Sequence, residues 1–134
     1  EDVTKYSSDA FSDVTSGKWY YHYVSWAYTN GITKGTSATQ FSPEARVTRE
    51  QMARLTVTFF EYMGIDAKAI CSAQSFTDSN TISSWAQDGV AKCQTMGIVS
   101  GYEDASFKPQ GNATRAEAAT ICSRIISYAL IMPQ

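Results

Sequence analysis

The apolar positions of the chain fall into stripes of helical period, separated by stretches rich in Gly, Pro, Ser and Thr. Tyr20, Tyr23, Val24, Ala27 and Tyr28 recur at i, i+3, i+4, i+7 and i+8 and stop at Gly31. Ala86, Gly89, Val90 and Cys93 repeat that stripe and stop at Gly97. Met52, Leu55, Thr56, Phe59 and Met63 share one face ahead of Gly64, and Ala118, Ile121, Cys122, Ile125 and Ala129 form its counterpart. Apolar faces of this spacing are core-facing, so the pattern predicts an all-α fold.

The stripes belong to two copies of one unit. Phe11-Ser12-Asp13 returns as Phe76-Thr77-Asp78, 65 residues on. After one inserted residue, Trp19 pairs with Trp85, Val24 with Val90, Gly31-Ile32 with Gly97-Ile98 and Gly35 with Gly101, each 66 apart. Phe41 to Pro43 and Thr48-Arg49 return in the same register as Phe107 to Pro109 and Thr114-Arg115. This agreement defines a duplication over residues 11–63 and 76–129. The expected architecture is a helix, a long loop and a helix, repeated in tandem and packed as a small helical bundle with pseudo-symmetry. Residues 1–63 hold the first copy, 64–75 a linker with one helical turn near 66–70, and 76–134 the second copy. The loops, 32–47 and 98–113, keep their Gly and Phe-x-Pro in both copies, which marks ordered surface features with Phe41 and Phe107 turned into the core.

Thr48-x-x-Gln51 and Thr114-x-x-Glu117 fit the capping box, in which the Thr hydroxyl accepts from the N3 amide and the N3 side chain returns to the Thr amide. The box leaves Arg49 and Arg115 unexplained. At N1 a cation faces the positive end of the helix and costs about 0.3–1 kcal/mol relative to an acidic residue. Either each arginine bonds a carboxylate or carbonyl of the neighbouring copy, or the guanidinium and the free amides of the helix start together form a site for a carboxylate or phosphate.

Phe-x-Asp, Trp, Gly-Ile-x-x-Gly, Phe-x-Pro and Thr-Arg-x-x, in that order and twice over, resemble the S-layer homology (SLH) domain, a cell-wall anchoring module of bacterial surface proteins. The resemblance implies helices arranged about a pseudo-threefold axis and an extracellular place at the cell wall. It also implies binding of secondary cell-wall polysaccharide, often carrying pyruvylated N-acetylmannosamine, in grooves between repeats. Carried over by position, it makes Arg49 and Arg115 the carboxylate contacts and Trp19 and Trp85 an apolar or stacking wall. Gly35 and Gly101 would let backbone approach the sugar, and Asp13 and Asp78 would accept from its hydroxyls. Each has a structural alternative: tryptophans in the core, glycines serving left-handed turns, aspartates capping the turn that follows them. Two copies stand where the family commonly has three, so a further repeat or a second copy of the chain would be needed to complete the set. Gln51 stands where the usual motif has Glu, and loop 35–41 has no acidic residue where the second copy has Glu103 and Asp104. The two sites are therefore not required to be equivalent.

Composition narrows the alternatives. At 134 residues, 43% of them hydrophobic, the chain suits one compact unit or two small interlocked ones. A net charge of -2 argues against nucleic acid or an anionic membrane as partner, and no apolar run approaches the roughly 20 residues of a membrane span. Without an initiator Met or a leader, the sequence reads as a mature or excised fragment. The 3 cysteines allow at most one internal pair; Cys93 and Cys122 are expected as small hydrophobes on helix faces, Cys71 as the accessible thiol. Catalysis is not expected, because the single histidine, His22, has no counterpart in the second copy and no catalytic motif accompanies it. A duplicated calcium-docking module would need a carboxylate-rich loop that 35–41 does not supply. No metal or cofactor is implied. The remaining alternative is a protein-protein assembly module of the same fold that does not bind glycan.

Overall fold

The computed structural model describes residues 1–131. It contains the helices α1 (Tyr21–Thr29), α2 (Arg49–Met63), α3 (Gln87–Thr95) and α4 (Arg115–Ile131), with short 3-10 turns at Val3–Lys5 and Ser79–Thr81. Among the described residues there is no strand, only an isolated antiparallel bridge between Thr48 and Asn112. The chain is all-α. It divides into two compact units, Glu1–Ala45 and the remainder from Arg46 onward. α2 therefore packs with the second sequence copy.

In the first unit Phe11, Val14, Tyr21 and Val24 form the core, with Tyr20 and Phe41 packed against it. The Phe11 ring meets Tyr28 edge-on at 5.1 Å and lies tilted at 5.6 Å from Phe41. The expected stripe is only partly met: Tyr21, Val24 and Ser25 are buried, whereas Tyr23 and Tyr28 are exposed. A helix of 9 residues resting on Phe11 and Val14 has one narrow side to cover.

The second unit has the larger core. Ala53, Val57 and Phe60 of α2 join Val90 and Cys93 of α3, with Met96, Ile98, Phe107, Ile121 and Tyr128 around them. α2 and α3 approach closely at Gly89, where a Cβ would stand 3.3 Å from the Arg54 Cα. The buried face of α2 is rotated from the expected one: Ala53, Thr56, Val57 and Phe60 are buried, Met52 and Phe59 are marginal, and Leu55 and Met63 are exposed. Its first turn sets this rotation, because Arg49 and Glu50 are both buried against the second copy. α4 buries Ile121 and Tyr128, with Ile125 and Ala129 beside them. Cys122 is exposed rather than in the core, while Cys93 is buried and Cys71 exposed as expected. The linker forms no helical turn at 66–70. It is held by Thr95 O accepting from the Ile70 and Cys71 amides and by the Tyr128 hydroxyl donating to Asp66 O and Lys68 O.

The long loops of the two copies share one construction. Ser12 N donates to Thr39 O in the first as Thr77 N does to Ala105 O in the second. Asp13 accepts from the Phe41 and Ser42 amides at 2.9 and 2.8 Å, and Asp78 from those of Phe107 and Lys108 at 2.8 Å each. Ser42 and Lys108, the equivalent residues, both adopt left-handed φ, 59° and 57°.

Candidate functional site

The site grows out of the first turn of α2. Thr48 caps the helix with a complete box: Gln51 N donates to Thr48 Oγ1 at 3.2 Å and Thr48 N to Gln51 Oε1 at 3.0 Å. The next amides find acceptors in the second copy, Arg49 N on Gly111 O at 2.8 Å and Glu50 N on Pro109 O at 3.1 Å. Every orphan donor of this helix start is satisfied by protein, which corrects the expectation of free amides there for an anion.

The Arg49 side chain is committed as well. Nε donates to Phe107 O at 2.7 Å, Nη2 to Ser100 O at 3.2 Å and Nη1 to Glu117 Oε2 at 2.8 Å. Its guanidinium carbon lies 4.6 Å from the Tyr102 ring centroid and 4.8 Å from that of Phe107. Of the two readings open in the sequence, the structure displays the copy-to-copy bond, and these contacts offset the cost of a cation at N1. Beside it, the buried Glu50 carboxylate accepts from the Ser83 amide at 2.9 Å and hydroxyl at 2.7 Å.

Glu117 answers Arg49 from the start of α4. Its other oxygen accepts from the Tyr102 hydroxyl at 3.0 Å, so the second capping box is only half made, by Glu117 N on Thr114 Oγ1 at 3.1 Å. Burial pushes the Glu117 carboxyl up, but the bonds from Arg49 and Tyr102 outweigh it and hold the group below the ordinary range. Burial and the same bond push the Tyr102 hydroxyl up.

Above this cluster lie two contiguous hollows of about 260 and 580 Å³ that share Val99, Ser100, Gly101, Tyr102 and Arg124. Arg49, Glu117 and Thr120 wall the smaller; Cys71, Gln74 and Gln94 extend the larger. Arg124 Nη1 donates to Ile98 O at 3.2 Å. The other donors of its guanidinium have no partner among the described residues.

Arg49 and Gly101 are the expected residues that meet at this cleft. Gly101 serves packing: a Cβ would stand 2.9 Å from the Phe76 ring and 3.0 Å from Ser106 O. Gly35, at φ 79°, does the same in the first unit against Gln40 O and the Phe11 ring. Asp13 and Asp78 do not cap the turn that follows them, since each braces a loop nearly 30 residues downstream. The Phe41 amide is the chief reason the Asp13 carboxyl lies below its ordinary range; for Asp78, burial raises it and the two loop amides lower it further. Trp19 and Trp85 are 83% and 51% exposed, so they are not core, and neither lines the cleft. Arg115 is exposed at the first position of α4 and bonds no described residue.

Tyr102, Arg124 and the pairing of Glu117 with Arg49 were not foreseen from sequence. Their signal was present: Glu117, Ile121 and Arg124 share a helix face at i, i+4 and i+7, and Tyr102 and Arg124 replace Thr36 and Thr58 of the first copy.

Fold and site define a small all-α module of two tandem repeats in which the start of α2, from the first copy, bonds the loop and last helix of the second. The S-layer homology domain model matches residues 10–53 and 75–119. The chain belongs to the S-layer homology domain family, whose members are cell-surface anchoring modules. It is 40% identical over 114 residues to an amylopullulanase of Thermoanaerobacterium thermosulfurigenes, covering 85% of the chain and 6% of that protein. It is 38% identical over 111 residues to exoglucanase XynX of Acetivibrio thermocellus, 83% of the chain and 10% of that protein. It is 31% identical over 119 residues to the surface-layer 125 kDa protein of Lysinibacillus sphaericus, 87% and 10% respectively. The chain thus spans a tenth or less of the length of these relatives. Family and relatives locate it outside the cell, at the wall or surface layer.

Proposed function

We propose that this module tethers a larger extracellular protein to the wall by binding secondary cell-wall polysaccharide in the cleft of its second unit, with no catalysis of its own. The observation that carries the reading is Arg124, which lines both hollows and whose remaining guanidinium donors have no partner among the described residues. A carboxylate such as a ketal-linked pyruvate matches that fork in shape and charge. Ser100 and Thr120 supply hydroxyls for sugar, and Tyr102 a ring edge beside them. Arg49 contributes as a wall of the smaller hollow and as the post that holds the Phe107 and Ser100 carbonyls in place. Gly101 and Asp78 act by giving the loop its shape. Trp19, Gly35 and Asp13 would belong to a first-unit site, and Arg115 and Trp85 to a site on exposed surface outside the cleft. That an amylopullulanase, an exoglucanase and a surface-layer protein share this stretch supports a role they can have in common, attachment at the surface.

Titration of the chain with purified wall polysaccharide tests the reading. Arg124→Ala is expected to weaken binding about tenfold or more, the equivalent of about 1.4 kcal/mol, with an unchanged circular dichroism spectrum. If Arg124→Ala binds as the parent does while Arg115→Ala does not, the site lies at the start of α4 instead. If no polysaccharide binds and a surface protein is captured, the assembly alternative replaces the glycan one.

A further inference from the structure

The two hollows of the second unit differ in charge. The smaller holds Arg49 and Arg124 together with Glu117, whose carboxylate is already taken by Arg49 and Tyr102. Among the residues lining the larger, Arg124 is the one cation and Glu103 the one carboxylate. Ser72, Ser75, Gln74 and Gln94 bring uncharged hydroxyls and carboxamides to the same wall. Such groups both donate and accept, as sugar hydroxyls do, and about 580 Å³ lies within the usual range of ligand sites. Glu103 accepts from hydroxyls and repels a carboxylate, so the larger hollow selects against an acidic sugar and for a neutral one.

One wall of the larger hollow is a short strap, residues 72–75. Among the described residues, the hydrogen bonds of this strap go to a single side chain: Gln74 N donates to Gln94 Oε1 at 3.3 Å and Gln94 Nε2 to Gln74 O at 2.9 Å. On either side the chain is fixed, Cys71 N on Thr95 O and the buried Phe76 ring against Phe107 at 5.1 Å. The Gln94 carboxamide therefore latches the strap to α3 and sets the width of the hollow, and it keeps one N–H and one lone pair for a further partner. The first copy has Tyr28, Ser37 and Thr58 at the positions of Gln94, Glu103 and Arg124. It carries neither the latch nor the two charges.

We propose that the larger hollow is a subsite for an uncharged sugar residue adjoining the acidic one, with Glu103 accepting from its hydroxyls and Gln94 as the positioning residue that holds the strap. This subsite rests on the reading of the cleft as the glycan site. Arg124 stands where the hollows meet, so an acidic residue held there directs its neutral neighbour into the larger one. Fragments of one and two sugar residues, cut from purified wall polysaccharide with their acidic groups kept, are titrated calorimetrically into the full chain. The two-residue fragment is expected to bind about tenfold more tightly than the acidic single residue. Glu103→Ala and Gln94→Ala each weaken the two-residue fragment about fivefold and leave the single residue as it is in the parent, while Arg124→Ala weakens both. Gln94→Ala also speeds hydrogen exchange at the Gln74 amide, and Glu103→Ala, in an exposed turn, keeps the parent circular dichroism spectrum. Equal affinity for the two fragments, or variants at 94 and 103 that bind both as the parent does, overturns the subsite while the dependence on Arg124 leaves the cleft standing. Fragments that do not bind, or that bind without regard to Arg124, overturn the cleft and the subsite together.

Discussion

Arg49 carries three hydrogen bonds to the second copy at 9% side-chain exposure, and removing it would strand Glu117 together with the Phe107 and Ser100 carbonyls. Arg49→Ala is expected to destabilise the second unit by about 3 kcal/mol, the usual cost of breaking a mostly buried pair from one side, read from urea unfolding. Arg49→Lys recovers little of this, because a single ammonium cannot span acceptors on three residues. The pair also fixes an acid limb. Glu117 has a depressed folded-state value, so its stabilisation is complete above the unfolded value near 4.5 and is lost as pH falls through the folded one. Stability should decline below about pH 4.5, and Glu117→Gln should flatten that decline; an unchanged limb in the variant would assign the acid sensitivity to other carboxylates. The oddity of a cation at N1 was legible in the sequence, down to the option of a neighbouring carboxylate or carbonyl. Its backbone acceptors were not, because Phe107 and Ser100 serve Arg49 through carbonyls that every residue type possesses.

At the scale of elements, the helix ends were legible where chemistry is local. Gly64 closes α2 at φ 69°, Gly31 and Gly97 follow α1 and α3 at φ 72° each, and Thr48 opens α2. The faces were less legible. α2 presents Ala53, Val57 and Phe60 because its first turn is bolted to another part of the chain, and a periodicity argument cannot see that bolt. The linker misled for a related reason: its backbone partners, Thr95 and Tyr128, lie far along the sequence. The loops supply a graded test. Gly35→Ala meets both a left-handed φ and overlap with Gln40 O and the Phe11 ring, whereas Gly101→Ala meets only Phe76 and Ser106 at 2.9 and 3.0 Å. Gly35→Ala should cost about 2–3 kcal/mol and Gly101→Ala about 1–2 kcal/mol, measured by chemical unfolding. Asp78→Asn should loosen the second loop, because the amide can present only one acceptor to the Phe107 and Lys108 amides; faster hydrogen exchange at those two amides would show it.

For the whole molecule, the duplication was the most informative feature of the sequence, since it identified the family before any side chain was placed. It did not reveal how the copies share their helices. α2 belongs by sequence to the first copy and by packing to the second, because Ala53 and Gly89 permit a close crossing and the Phe107 to Gly111 loop satisfies its start. The cleft arises from that exchange, walled by Arg49 from one copy and by Gly101, Tyr102, Glu117 and Arg124 from the other. A cleft walled by both copies holds Arg49 and Gly101, which the family pattern singles out, together with Arg124, which it does not. The central claim is that this module holds its parent protein to the wall through a wall polymer. Co-sedimentation of the chain with purified wall sacculi, intact and stripped of their secondary polysaccharide, tests it most directly. The account predicts that the chain pellets with intact sacculi and stays in solution with stripped ones; equal pelleting with both would contradict it.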